Sequence, residues 1–147
     1  MEDRYLFKGK RIDNGEWVQG YLFDDGFENG RMFVGGLVIE EYHGTACDDW
    51  SITGINFCEV DPSTICQCTG LKDKNGKLIW ENDVVAYWDT YSTESGYAEA
   101  DCIGKVVWDD ETISFQVTNR LSAESYEVLD ECNVIGNKFD NPELLEA

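Results

Sequence analysis

Residues 60–85 read VDPSTICQCTGLKDKNGKLIWENDVV, and no other stretch limits the fold as tightly. Asp61-Pro62-Ser63 is a break, because proline lacks a backbone donor and restricts the residue before it. Asp73-Lys74-Asn75-Gly76 is a tight turn, with Gly76 placed to take the left-handed conformation. Leu78-Ile79-Trp80 follows as a short strand. Glu81-Asn82-Asp83 is then a second turn feeding a strand over residues 84–88. Short strands joined by tight turns are the expected architecture of this part of the chain.

The rest of the chain extends that pattern. Residues 8–12 and 16–23 read as a hairpin across Asp13-Asn14-Gly15, since Asn-Gly between apolar runs tolerates the positive φ such turns need. Residues 24–31 are a polar loop, and residues 32–39 a strand in which Gly35-Gly36 suggests a bulge or a close backbone approach. Residues 40–51 read as irregular and acidic, and residues 52–60 as another short strand. After the break, residues 89–101 look like a long variable loop, with three acids before Asp101 and no base. Residues 102–108 and 112–117 then pair across residues 109–111, with Ile113, Phe115 and Val117 alternating against polar neighbours. Residues 125–129 and 133–135 supply closing strands. Asn141 and Pro142 are an N-cap and first-turn proline for a short C-terminal helix over residues 143–146. The expected fold is mainly β. Residues 1–60 form an N-terminal β-hairpin and strand subdomain, and residues 61–147 a small SH3-type barrel, with an OB-like barrel as the alternative.

Composition narrows the function classes. A chain of 147 residues suits one domain or two small subdomains sharing a core, and needs no staples. The net charge of −19 repels phosphate backbones, and the basic stripe that nucleic-acid binding requires is missing, so no direct nucleic-acid binding is expected. No apolar run is long enough to span a membrane, and MEDRYLFKGKR lacks the apolar segment of a secretion signal, so a cytoplasmic protein is expected. The six cysteines, Cys47, Cys58, Cys66, Cys68, Cys102 and Cys132, then read as reduced small hydrophobes. Cys66-Gln67-Cys68 puts two thiols on one strand face, which is poor geometry for tetrahedral zinc. No metal or cofactor is expected.

The stretch at residues 60–85 and the segment VIGNKFDNPELL at residues 134–145 together resemble the YopX-like family of phage and prophage proteins. Its signature is a VDP-x-T start, a Q-Y-T-G-L-x-D-K-N-G run, an E-G-D-I-V entry, and a terminal V-I-G-N with N-P-E-L-L. Val60-Asp61-Pro62-Ser63-Thr64, the run from Gln67 to Gly76, Glu81-Asn82-Asp83-Val84-Val85, Val134-Ile135-Gly136-Asn137 and Asn141-Pro142-Glu143-Leu144-Leu145 hold those positions here. Cys68 stands where the family usually has Tyr. Asn82 stands where Gly is usual, and Asn is the next best residue for positive φ. The resemblance implies an SH3-type barrel in the C-terminal part and a phage origin. It brings no known catalytic activity, so the motif residues read as architecture.

Catalysis is not expected either from the residues themselves. A Ser-His-Asp or Cys-His centre would have to use His43, the only histidine, which sits in a loop without a partner pattern. The acid pairs Asp24-Asp25, Glu40-Glu41, Asp48-Asp49 and Asp109-Asp110 are adjacent, and neighbours on a strand point to opposite faces. The expectation is a non-enzymatic interaction module that binds another protein or self-assembles into a homo-oligomer. Its candidate site is an aromatic groove of Tyr87, Trp88, Tyr91, Tyr97 and Trp108 around the acidic loop, where Asp89 would favour a cationic partner. Alternatives are an acidic DNA mimic that occupies a host DNA-binding protein, and a carboxylate hydrolase.

Overall fold

The computed structural model describes residues 3–28, 30–119, 125–127 and 132–146; within its strands, the side chains of residues 89–92, 99–100, 119 and 125–127 fall outside that description. Among the described residues are eleven strands and three short 3-10 helices, with no α-helix. The protein is mainly β. The chain divides into two compact units, Tyr5–Ile65 on one side and Cys66–Ala147 with Met1–Arg4 on the other.

The Tyr5–Ile65 unit holds β1 (Phe7–Lys10), β2 (Trp17–Asp24), β3 (Met32–His43) and β4 (Asp48–Val60), antiparallel in the order β4-β3-β2-β1. β1 and β2 join across the expected Asn-Gly turn, where Gly15 takes a φ of 72° and its N–H donates to the Arg11 carbonyl at 2.9 Å. One face of the sheet is core, with Val34 and Val60 fully buried. The sheet curls at its base. Val60 bridges Arg11, the Ile12 N–H donates to the Glu59 carbonyl at 3.1 Å, and the Asp61 N–H donates to Lys10 at 2.8 Å. The break at Asp61-Pro62-Ser63 is a 3-10 turn in which Asp61 accepts from the Ser63 N–H. Thr64 Oγ1 completes it by accepting from the Lys10 N–H at 2.9 Å.

Residues 40–51, expected to be irregular, instead continue the ladder. β3 and β4 stay paired to His43 opposite Asp48. The register set by the apolar inner half carries the acidic outer half with it, since each pair fixes its neighbour.

In the second unit, β5 (Cys66–Lys72) and β6 (Leu78–Trp80) form a hairpin. The main sheet contains β7 (Asp83–Thr93), β8 (Gly96–Asp109), β9 (Ser114–Asn119), β10 (Ser125–Glu127) and β11 (Asn133–Asn137), in the order β10-β9-β8-β7-β11. Its core is Ile79, Val85, Val106, Val117 and Cys132, against which Tyr87, Phe115 and Val134 pack. Cys66 and Cys68 are both buried on one face of β5.

Several expectations need correction here. The described strands do not close into an SH3-type barrel: β10 and β11 lie at opposite edges of an open sheet. Closure needs those two edges to pair. The long loop at residues 89–101 is a hairpin, with β7 and β8 paired to Thr93 opposite Gly96. Ile113 is not a strand residue; it is exposed in a turn at a φ of 53°. The C-terminal helix is a 3-10 turn over Pro142–Leu145, and Asn141 forms no side-chain cap there.

Candidate protein-interaction surface

The family-signature residues form one architectural network. Asp73 Oδ1 accepts from the N–H groups of Asn75 and Lys77, each at 2.9 Å, while Oδ2 accepts from the Val134 N–H at 3.0 Å. Those bonds, the one from Val134 first, hold the Asp73 carboxyl below the usual carboxylate range. Asn75 Nδ2 donates to Asn133 Oδ1 at 2.9 Å, so the early and late motif blocks meet in space. Asn82 takes a φ of 68°, and its backbone donates to Val106 and accepts from Lys138 at 2.8 and 2.9 Å respectively. Buried Asp83 accepts from the Trp80 N–H at 2.8 Å. Asn141 Oδ1 accepts from the Asn137 N–H at 3.3 Å. Every polar side chain in this set holds backbone or another motif side chain.

The six sequence-predicted site residues are split by strand parity. Tyr87 lies opposite Cys102 and packs on the core, whereas Trp88 lies opposite Asp101 on the other face and is exposed. Tyr97 shares the Trp88 face but sits four residues beyond Asp101, about 13 Å away along the strand. Trp108 shares the Cys102 face, stacks edge-on against Phe115 at 5.1 Å, and donates from Nε1 to Asp110 at 2.8 Å. Asp89 and Tyr91 belong to β7, and their side chains are outside the described set. The structure brings Trp108 to Phe115 and separates Trp88 from Tyr87.

A larger apolar surface lies on the first unit. β2 pairs with β3 only as far as Tyr21 opposite Gly35, so residues 36–43 and 48–56 continue as a two-stranded ribbon. A bulge lets Val38 face Gly54 and Ile39 face Ile52, leaving Thr53 as the extra residue. That shift puts Leu37, Ile39, Trp50, Ile52 and Ile55 on one face, each between 49% and 70% exposed. Phe57, Tyr21 and Phe23 continue this face toward the base, with Phe23 edge-on to Phe57 at 5.0 Å. The reverse face holds a groove of about 530 Å³ lined by Val18, Val34, Val38 and Cys58. Its floor is tight: Gly20, at a φ of 158°, lies so close to the Gly35 carbonyl that a side chain could not fit. At the ribbon's end Glu40, Glu41 and Asp49 border Tyr42 and Trp50 around a hollow of about 440 Å³.

Sequence reasoning missed this face because the alternation of Trp50 and Ile52 changes phase before Ile55 and Phe57. The visible signal was the density of aromatic and β-branched residues around Thr53-Gly54.

His43 sits at the ribbon's end, exposed, 3.5 Å from Glu41 and 3.4 Å from Asp48. The carboxyls of Asp13, Asp25, Asp61 and Asp73 are all held below their ordinary range, chiefly by hydrogen bonds. Among the described residues no three His, Cys, Asp or Glu side chains group as metal ligands, and no helix is long and apolar enough to cross a membrane.

Residues 30–146 match the family model described as YopX protein. The fold is similar to the crystal structure of protein EF1440 from Enterococcus faecalis, with a TM-score of 0.50 and 22% identity over 95% of this chain and 96% of that one. No curated protein matches the chain.

Proposed function

We propose that this chain, which belongs to the YopX protein family, is a non-enzymatic phage or prophage accessory protein that acts in the host cytoplasm by docking another protein. The observation that carries this reading is the apolar face of Leu37, Ile39, Trp50, Ile52 and Ile55 on a ribbon with no third strand among the described residues. A two-stranded ribbon alone is marginal in water, and contiguous exposed apolar surface of this kind marks interaction sites. The acids at the ribbon's end, beside Tyr42 and Trp50, suit a partner that brings a lysine or arginine against an aromatic ring. Such a partner binds less tightly as salt rises. The apolar face supports a protein partner over DNA mimicry, which needs carboxylates in paired rows.

The test is capture of a host or phage partner by the wild-type chain and by a Trp50→Ala/Ile55→Asp variant, with thermal unfolding followed in parallel. Loss of capture at unchanged Tm supports the ribbon face. Undiminished capture by the variant, or loss only with Trp88→Ala, removes it.

A further inference from the structure

The outer edge of β4 is an edge of its sheet with no partner strand among the described residues. β4 is 13 residues long and terminates the order β4-β3-β2-β1. Its base is occupied, because Glu59 and Val60 bond to Ile12 and Arg11. Beyond that point residues 50–57 read Trp-Ser-Ile-Thr-Gly-Ile-Asn-Phe, with no charge and no proline. Natural sheets blunt such edges with lysines, prolines, inward-pointing charges or bulges, and of these devices the window has only the bulge at Thr53. The ribbon's other margin, on β3, does carry Glu40, Glu41 and His43.

We propose that this edge pairs with the same edge of a second copy, antiparallel about a twofold axis. The inference deepens the docking reading, since the dimer would join two ribbons into one four-stranded sheet and extend their apolar faces side by side. A second copy is favoured over an unrelated strand by self-complementarity. In an antiparallel pair, opposed residues share a face, so a twofold axis through the uncharged window sets apolar positions such as Ile52 and Ile55 against their own kind. The edge itself bears no charge that would select a cationic strand. At its ends the alignment brings Asp48 and Asp49 of one copy toward Glu59 of the other. Two chains of −19 also repel as wholes. Association between copies therefore strengthens with salt, opposite to the docking of a basic partner.

Sedimentation equilibrium of the full chain at low and high salt is the test, with Asn56→Glu as the edge variant and Thr93→Glu as a charge-matched control on the other long hairpin. Asn56 lies off the apolar stripe and does not line the acidic hollow, so the partner-docking face stays intact. The expected result is a dimer that tightens with salt, weakens about tenfold or more in the edge variant, and is unchanged in the control. Monomers at every concentration and salt, a dimer that loosens with salt, or a dimer indifferent to the edge variant each overturn the proposal. Partner capture by the monomeric edge variant would leave the docking reading standing. Loss of capture in a Leu37→Asp variant that still dimerises would separate the two in the other direction, since Leu37 lies on the docking face but on β3, away from the β4 edge.

Discussion

The β3–β4 and β7–β8 hairpins have the same number of acids beyond their third strands but arrange them differently. In the first, Glu40, Glu41, Asp48 and Asp49 gather near the turn, leaving Leu37, Ile39, Ile52 and Ile55 in an uncharged middle. In the second, Asp89, Glu94, Glu99 and Asp101 are spread along residues 87–103, where β7 and β8 have run past β11 and β9. Among the described residues, neither outer half pairs with a third strand. Charge at regular intervals is an edge guard, while charge concentrated at one end leaves the rest available. The total of −19 does not distinguish the hairpins; placement does.

Stability measurements sharpen the contrast. Ile79→Ala or Val106→Ala empties the fully buried core under the second hairpin and should cost about 2–5 kcal/mol in urea unfolding. A cost near zero would mean that this core is not where the unit's cohesion lies. Asp73→Asn should destabilise by less, because the turn keeps its backbone bonds while losing a charged acceptor. Its pH signature has a fixed sign. The folded carboxyl titrates below its unfolded value of about 3.9, so its contribution is full above that value and is lost as pH falls through the folded pKa. The Asn variant should therefore flatten the acid limb of the stability curve, and an unaltered limb would contradict the Asp73 geometry. Trp50→Ala and Ile55→Ala, on the exposed ribbon, should change stability by no more than about 0.5 kcal/mol. A larger loss in dilute protein would show that the ribbon face is packed. The finest distinction is in amide exchange. Distal amides of both hairpins should exchange faster than those at their bases, and only residues 50–57 should gain protection as protein concentration rises.

The parts legible in the sequence were those that local chemistry decides. The Asn14-Gly15 turn, the break at Pro62, the Asp73-to-Gly76 turn, the paired burial of Cys66 and Cys68 and the positive φ at Asn82 all follow from residue type and spacing. The β content was legible for the same reason. Barrel closure was not, because it depends on which distant edges pair. Residues 40–51 and 89–101 look like loops by composition, since acids have low strand preference, but ladders already registered at their inner ends carried both segments along. The aromatic groove was inferred from nearness in sequence; Tyr87 and Trp88 lie on opposite faces, as alternation along a strand requires of neighbours, and the side chains of Asp89 and Tyr91 fall outside the described set. The β3–β4 stripe was hidden by a single extra residue, Thr53, which breaks the two-residue period that reveals a strand face.

The bond from the Val134 N–H to Asp73 spans 61 positions of sequence. A ribosome adding about 5–20 residues per second therefore releases Asp73 several seconds before its partner. During that interval the Tyr5–Ile65 unit already has all its strands. The sheet around Val85 and Val106 still lacks β11, and Asp73 has only its local bonds from Asn75 and Lys77. The clasp at Asp73 is thus one of the later contacts to become possible, and a chain interrupted before Asn133 lacks the strand that supplies it.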